Sequence, residues 1–589
     1  MKFSTRPGPK ENVFNNGEPT LNRHDIIPYA RGDKPVDLLL THAKIINVFS
    51  GEIVEGSIAI ASGRIVGIGD YQAAQIRDLS GRFVAPGFID PHVHIESSMT
   101  CVSQFARAVV PHGTTTVVAD PHEIANVFGA PGIEYMLKSA ENQPMNVYYT
   151  LSSCVPATSM ETSGARLDAV DLIPLMSHDR IVALAEMMNY PGVIHGDPDV
   201  LSKIKLARQY RKPVDGHSPG LSGKELNAYI ASGISSDHEC TTADEAREKL
   251  MAGMHILIRQ GTGARNLQDL LPIVTPRTFH RMMWCTDDRH PHDLLSEGHI
   301  DSMVREAIAS GIDPIRAIQM ATLNPAEYFG LHHLGAIAPG RQADLVVFSD
   351  LSAPMIEQVY FKGVNVAENG AMSPDIPVPE TQPLPRSMRV TLKTLDFSIP
   401  MAGDRIRVIE IVPNQIITGS TIAAPTVFED AAISDIDRDI LKIAAVERHS
   451  GLGNIGKGFV RGFGLKKGAI ASSVAHDSHN ILVVGTTDED MKAAVKTIVL
   501  MGGGLAVVSG GLPIAKLSLP IAGLMSPEPV HVIRDHLDRL LASAREIGST
   551  LQNPFMTLSF LSLPVIPELK ITDKGLVDVR RFQIVPLFV

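Results

Sequence analysis

The sequence predicts an α/β fold centred on a (β/α)8 TIM-like barrel, with β-rich segments beside it and an additional C-terminal α+β region. Three observations carry this expectation. From Gly87 onward, apolar strand-like runs alternate with longer helical stretches, and about eight such βα units suffice to close a barrel. On either side of that region, short strands punctuated by Gly and Ser recur at residues 36–85 and 335–370. Finally, 589 residues exceed what one hydrophobic core usually organises, so two or three domains are expected.

Residues 1–35 read as a polar N-terminal extension, broken by Pro and Gly in MKFSTRPGPKENVFNNGEPT and lacking the apolar stretch of a secretory signal. Residues 36–85 hold the strand-like runs DLLLTHAKIINVF and GSIAIASGRIVGIG. Residues 86–334 carry the barrel runs, opening with APGFID and continuing through TTTVVAD, NVYYTLSS, RIVALAEM, PVDGH, ISSDHE, HILIRQG and MMWCTDD. Strand character returns in LGAIAPGRQADLVVFSD and VYFKGVNV, followed by a Pro-rich linker at 371–387 that reads as extended chain. Residues 388–589 form a third region around HSGLGNIGKGFVRGFGLKKGAIASSV. Its GLGNIGKG lacks the GK[ST] ending of a phosphate loop, so no nucleotide site is expected there.

Composition narrows the function. Hydrophobic residues make up 44% and charged residues 20%, an ordinary soluble balance, and no apolar run is long enough to span a bilayer. A net charge of −11 argues against nucleic acid as a partner, because that needs clustered Lys and Arg. Cys101, Cys154, Cys240 and Cys285 are far apart with no CxxC pair, which excludes a disulfide framework and a thiolate zinc site. A reducing, cytoplasmic location fits.

The chemistry begins at FIDPHVHIESS. Residues two apart on a strand point the same way, so His92 and His94 can present both imidazoles on one face at a strand end. Neutral imidazole binds Zn, Fe or Mn. Each of four later runs also ends in a ligand type: Glu186, His217, His238 and Asp287. Singly, each reads more readily as a satisfied histidine or a capping carboxylate than as a ligand. In succession after an HxH, they could hold two metals with Glu186 bridging, a nitrogen and oxygen site free of sulfur. Such a centre holds a hydroxide at neutral pH. DPHE at 120–123 follows TTTVVAD, so Asp120, His122 and Glu123 should also lie at the barrel mouth, to touch substrate, orient a ligand or bind a further ion; an Asp–Pro turn with a helix cap is the plainer reading. Asp288, Glu239, Glu96 and Ser98 are further lining candidates, although Asp288 could instead pair with Arg289. His476 and His479 in HDSHN either close over the mouth or simply occupy a turn between apolar strands.

The β-rich start, PGFIDPHVH and AIAPGRQADLVVF resemble the amidohydrolase superfamily over roughly residues 36–365. That resemblance implies that segments 36–85 and 335–370 close into one discontinuous β-sandwich beside the metal-binding barrel. It also implies the ligand set His92, His94, Glu186, His217, His238 and Asp287. Many two-metal members bridge with a carboxylated Lys, whereas LAEMM places Glu186 there. More narrowly, DPHEIANVFG, LAEMMNYPGVI, DGHSPGL, SSDHECTT, CTDDRHPHDLLSEGHID and KGFVRGFGLKKGAIASSVAHDSHNI look like the bacterial adenine deaminases, nearly end to end. The activity implied is hydrolysis of adenine to hypoxanthine and ammonia, with the hydroxide attacking C6 and Asp287, Glu186 and His238 as catalytic residues. Asp287 would shuttle the proton. Two divalent ions are implied, manganese or iron favoured and zinc also accommodated, as is a homo-oligomer, dimer or tetramer. A cyclic amidase of the dihydroorotase or hydantoinase kind is the alternative. A one-metal adenosine deaminase type normally lacks the flanking β segments, and a non-catalytic barrel would be expected to have lost ligands.

Overall fold

Runs that are apolar throughout suit parallel strands buried on both faces, and such runs form the centre of this molecule. The computed structural model describes residues 23–373, 383–413 and 415–589. β1 (Phe88–Val93), β2 (Thr114–Ala119), β3 (Asn146–Leu151), β4 (Ile181–Met187) and β5 (Val214–Gly216) pair in that order in one parallel sheet. β6 (Ser236–Asp237), β7 (His255–Arg259) and β8 (Met282–Cys285) form a second. Two seams join them. The Ser235 amide donates to the Val214 carbonyl at 3.0 Å, and the Asp287 amide donates to the His92 carbonyl at 3.0 Å. Helices separate most of the strands, giving a TIM-barrel-like arrangement. Asp90 reinforces the second seam from inside β1. Its Oδ2 accepts from Thr286 Oγ1 at 2.5 Å and lies 3.2 Å from His299 Nε2.

The β-rich segments on either side of this centre share one nine-stranded sheet. Phe83–Pro86 pairs antiparallel with Leu345–Phe348, so the chain entering the barrel meets the chain leaving it. Leu40, Ile58, Ile60, Leu345, Val347 and Tyr360 pack together there. The sequence predicts an extension at 1–35. A helix at Arg23–Ala30 lies within it, with Ile26 and Tyr29 against Val36 and Val66; residues 1–22 lie outside the described residues. The linker expected at 371–387 falls partly outside them too, at 374–382, while Ala371–Met372 pairs with Val364–Glu368.

The C-terminal region is built on an eight-stranded, mostly antiparallel sheet. Alternation along its strands gives it two buried faces. Ala471, Val483 and Ala506 pack with Met491 and Val495 of the helix Asp488–Leu500, and Ile470, Leu482 and Leu505 pack with Ile533 and Leu537 of the helix Val530–Glu546. The first helix starts at Thr487, whose hydroxyl accepts from the Asp490 amide at 3.2 Å, with three acidic residues in its first turn. This region docks on the barrel. The Cys101 amide donates to the Ser526 carbonyl at 3.0 Å, the Thr162 amide to Asp573 Oδ1 at 2.8 Å, and the Thr572 hydroxyl to the Met160 carbonyl at 2.7 Å. The four cysteines are buried and form no disulfide. Among the described residues, no helix is long and apolar enough to cross a membrane.

Candidate active site

Six side chains converge at the C-terminal ends of the parallel strands. His92 lies in β1 and His94 just beyond it, and the two rings meet edge to face at 4.9 Å. His94 Nδ1 faces the Asp120 carbonyl at 3.2 Å, which leaves Nε2 turned into the site. That Nε2 lies 3.0 Å from Asp287 Oδ1 and 3.3 Å from Glu186 Oε1. The other Glu186 oxygen lies 2.6 Å from His217 Nδ1 and 3.2 Å from His238 Nε2. Glu186 therefore spans two histidine groups with its two oxygens. His238 stacks on His92 with ring centroids 4.1 Å apart.

The donor set suits divalent metal. His92, His238 and Asp287 bring ligand atoms within 4.8 Å of one another, as do Glu186, His217 and His238. His92 Nε2 and His217 Nε2 are buried with no hydrogen-bond partner. A buried polar nitrogen left unpaired costs free energy that a coordinated ion would offset. Nitrogen and oxygen donors without sulfur match Mn, Fe and Zn.

Electrostatics keep the carboxylates charged. Burial opposes ionisation of Glu186, yet His217 and His238 hold its carboxyl well below the usual range. Burial likewise opposes ionisation of Asp287, and the Arg259 guanidinium with His92 and His94 outweighs it. Arg259 ends β7. Its guanidinium donates to Asp287 Oδ2 at 2.6 Å and forks onto Glu239, the second contact being 3.0 Å to Oε2. Glu239 is consequently lowered to about 2 against the effect of its burial.

A second tier lies beside the first. His122 Nδ1 sits 3.0 Å from Asp120 Oδ2, and Glu123 Oε1 lies 2.7 Å from His476 Nδ1. His479 Nε2 contacts the other Glu123 oxygen directly. Burial lowers His476, but the Glu123 carboxylate raises it to about 9. The HDSHN segment of the C-terminal region thus meets DPHE of the barrel. The cavity above the histidines is roofed by Ile416, Phe560, Leu563 and Ile566, with Phe560 stacked on the His476 ring at 4.5 Å.

Most of the residues singled out from the sequence come together here; His94, His122, Glu123, Glu186, His217, His238, Glu239, Asp287, Asp288 and His476 line the cavity. His92, Asp120 and His479 touch its lining residues from behind. Two lining candidates do not reach the cavity, the first being Ser98. Its hydroxyl is satisfied inside the turn Ile95–Ser98, donating to the Ile95 carbonyl at 2.5 Å and meeting Thr100 Oγ1 at 2.6 Å. The neighbouring Ser97 instead donates to Asp288. Glu96 accepts from the Ile124 amide at 3.3 Å and does not line the cavity. No Asp288–Arg289 pair forms, because Arg289 turns to Glu297 at 2.7 Å. Burial and the charge of Asp287 push the Asp288 carboxyl up. Sequence reasoning missed Arg259, Ser97, Asp477 and the apolar roof. Arg259 had a signal, being the last residue of a barrel strand like the ligands; the roof had none.

Comparison with known proteins bears on this architecture. Residues 83–366 match the model of the amidohydrolase family, and residues 415–583 match that of the adenine deaminase C-terminal domain. The chain is 55% identical to an adenine deaminase of Desulfatibacillum aliphaticivorans, over 96% of this chain and 99% of that one. The chain belongs to the adenine deaminase family. An adenine deaminase of Methanothrix thermoacetophila is 50% identical over the same shares. Among solved structures, the chain is similar to an enamidase of the amidohydrolase superfamily at 18% identity and a TM-score of 0.44, covering 58% of this chain and 97% of that one. The adenine deaminase C-terminal match contains Ile416, Phe560, Leu563 and Ile566, and also HDSHN, so every roof residue named above belongs to it.

Proposed function

We propose that the chain deaminates adenine by hydrolysis, releasing hypoxanthine and ammonia. One observation carries the reading: a buried cluster of four histidines with Glu186 and Asp287 lies beneath an apolar roof from the adenine deaminase C-terminal domain. A flat heterocycle with apolar faces and polar edges suits such a space, its ring against Ile416 and Phe560 and its edges toward Asp288, Glu123 and His476.

In this reading the strands close as a (β/α)8 barrel, supported by the two hydrogen-bonded seams. Segments 36–85 and 335–370 make one discontinuous β domain around it, and 388–589 a third domain. His92, His94 and Asp287 would hold one divalent ion, His217 and His238 a second, with Glu186 between them. Manganese, iron or zinc bound there would make water nucleophilic at neutral pH.

The residues of the chain manage the protons. Asp287 takes a proton from the attacking water and gives it to the amino nitrogen at C6, so that nitrogen leaves as ammonia. The second water proton ends on the ring nitrogen of hypoxanthine. Arg259 keeps Asp287 ionised for the first transfer and fixes its direction. His238 and Glu239 lie beside it, Glu239 Oε1 being 3.4 Å from His238 Nε2.

Ammonia and hypoxanthine should appear when the manganese-loaded protein meets adenine, and not with adenosine or dihydroorotate. Turnover of dihydroorotate in place of adenine would transfer the site to the cyclic amidases. The buried thiols fit a cytoplasmic enzyme of purine salvage. We further propose a homo-oligomer, which light scattering would register as a dimer or tetramer mass.

A further inference from the structure

We infer that Lys570 is a positioning residue for the adenine pocket, its side-chain nitrogen pinning the two roof segments that carry Ile416 and Phe560. The inference rests on the pocket reading above. Lys570 lies in the strand Leu569–Thr572 and is 0% exposed. Its Nζ donates to the Ile416 carbonyl at 2.9 Å and the Phe560 carbonyl at 3.0 Å. Both those residues line the cavity. Phe560 in turn stacks on His476, and His476 meets Glu123. One nitrogen therefore joins two stretches distant in sequence, and its grip continues through an aromatic ring to the polar edge of the pocket.

The energetics make a purely structural role a poor account. Among the described residues, the hydrogen bonds of Nζ are to carbonyl oxygens alone, with no carboxylate in reach. Burying an amine without a counter-charge is costly, and burial pushes Lys570 down to about 7. An apolar side chain of similar length would remove that cost but leave both carbonyls without their donor. Destabilising features kept at a substrate site are commonly the cost of a fixed geometry. Lys442 provides the contrast. It is a buried lysine of the eight-stranded C-terminal sheet, whereas Lys570 belongs to a three-stranded one; it donates to the Phe397 carbonyl at 3.2 Å, but Asp488 accepts from it at 2.8 Å and it lines no part of the cavity.

The test compares Lys570→Met with Lys442→Met in the full-length, metal-loaded protein, using adenine kinetics and elemental analysis. Lys570→Met should raise KM for adenine by about tenfold, with a smaller change in kcat and unaltered metal content. Lys442→Met should leave KM at the wild-type value, and Lys570→Arg, which restores donors, should bring KM part of the way back. An unchanged KM in Lys570→Met would overturn the inference. If Lys570→Met does not accumulate folded, Lys570→Gln takes its place and an unchanged KM there has the same force. Failure of the wild-type protein to deaminate adenine would instead overturn the pocket reading, and the inference with it.

Discussion

Asp287 stands where Arg259, His92 and His94 converge, and four substitutions separate what its neighbourhood does. Asp287→Asn keeps the shape and removes the base, so turnover should fall by about 10²–10⁴-fold. Activity near the wild-type level would remove Asp287 from the mechanism. Arg259→Lys keeps a charge but loses the fork onto Glu239 and Asp287, so kcat should fall while the fold holds. Arg259→Met takes the guanidinium from two buried carboxylates and leaves them only histidine partners, a loss of about 3–5 kcal/mol that thermal denaturation would register. Glu186→Gln should bind fewer than two metals per chain; two ions by elemental analysis would end its bridging role. At this scale the sequence was informative because the ligands sit at strand ends, where a residue's type and its place both speak. Arg259 occupies the same kind of place and was passed over because guanidinium is no metal ligand. Ser98 was preferred to Ser97 because a linear reading does not show which hydroxyl the turn Ile95–Ser98 consumes.

Among the elements, the barrel strands were legible because each is a continuous apolar run ending in polar chemistry. Even β6, two residues long in the structure, was marked by ISSDHE. The roof was not legible. Ile416, Phe560, Leu563 and Ile566 look like any other core residues, and their meeting over the histidines depends on how the C-terminal region docks. The strand carrying Lys570 has a measurable consequence beyond catalysis. Its amine is depressed from about 10.4 in the unfolded chain to about 7 in the fold. The unfolded state therefore binds more protons between those values. The Lys570 contribution is most favourable above pH 10.4 and is lost as pH falls through 7, by about 1.4 kcal/mol per pH unit at most. Wild-type stability relative to Lys570→Met should rise as pH climbs from 7 to 10. A gap that does not change with pH would mean the amine stays charged in the fold.

For the whole molecule, the chain runs into the barrel from one edge of a shared sheet and returns to it through Leu345–Phe348. The C-terminal region then crosses back over the barrel mouth. The sequence offers HDSHN closing over the mouth as one of two readings but does not name Glu123 as its partner, since nothing local in either segment encodes that distance. The proposed mechanism therefore needs a site shared between regions and completed by metal. The most direct test is to titrate the metal-free protein with manganese while following hypoxanthine formation from adenine. Activity should rise until two ions are bound per chain and then level off. Full activity at one ion, or no deamination at two, would contradict it.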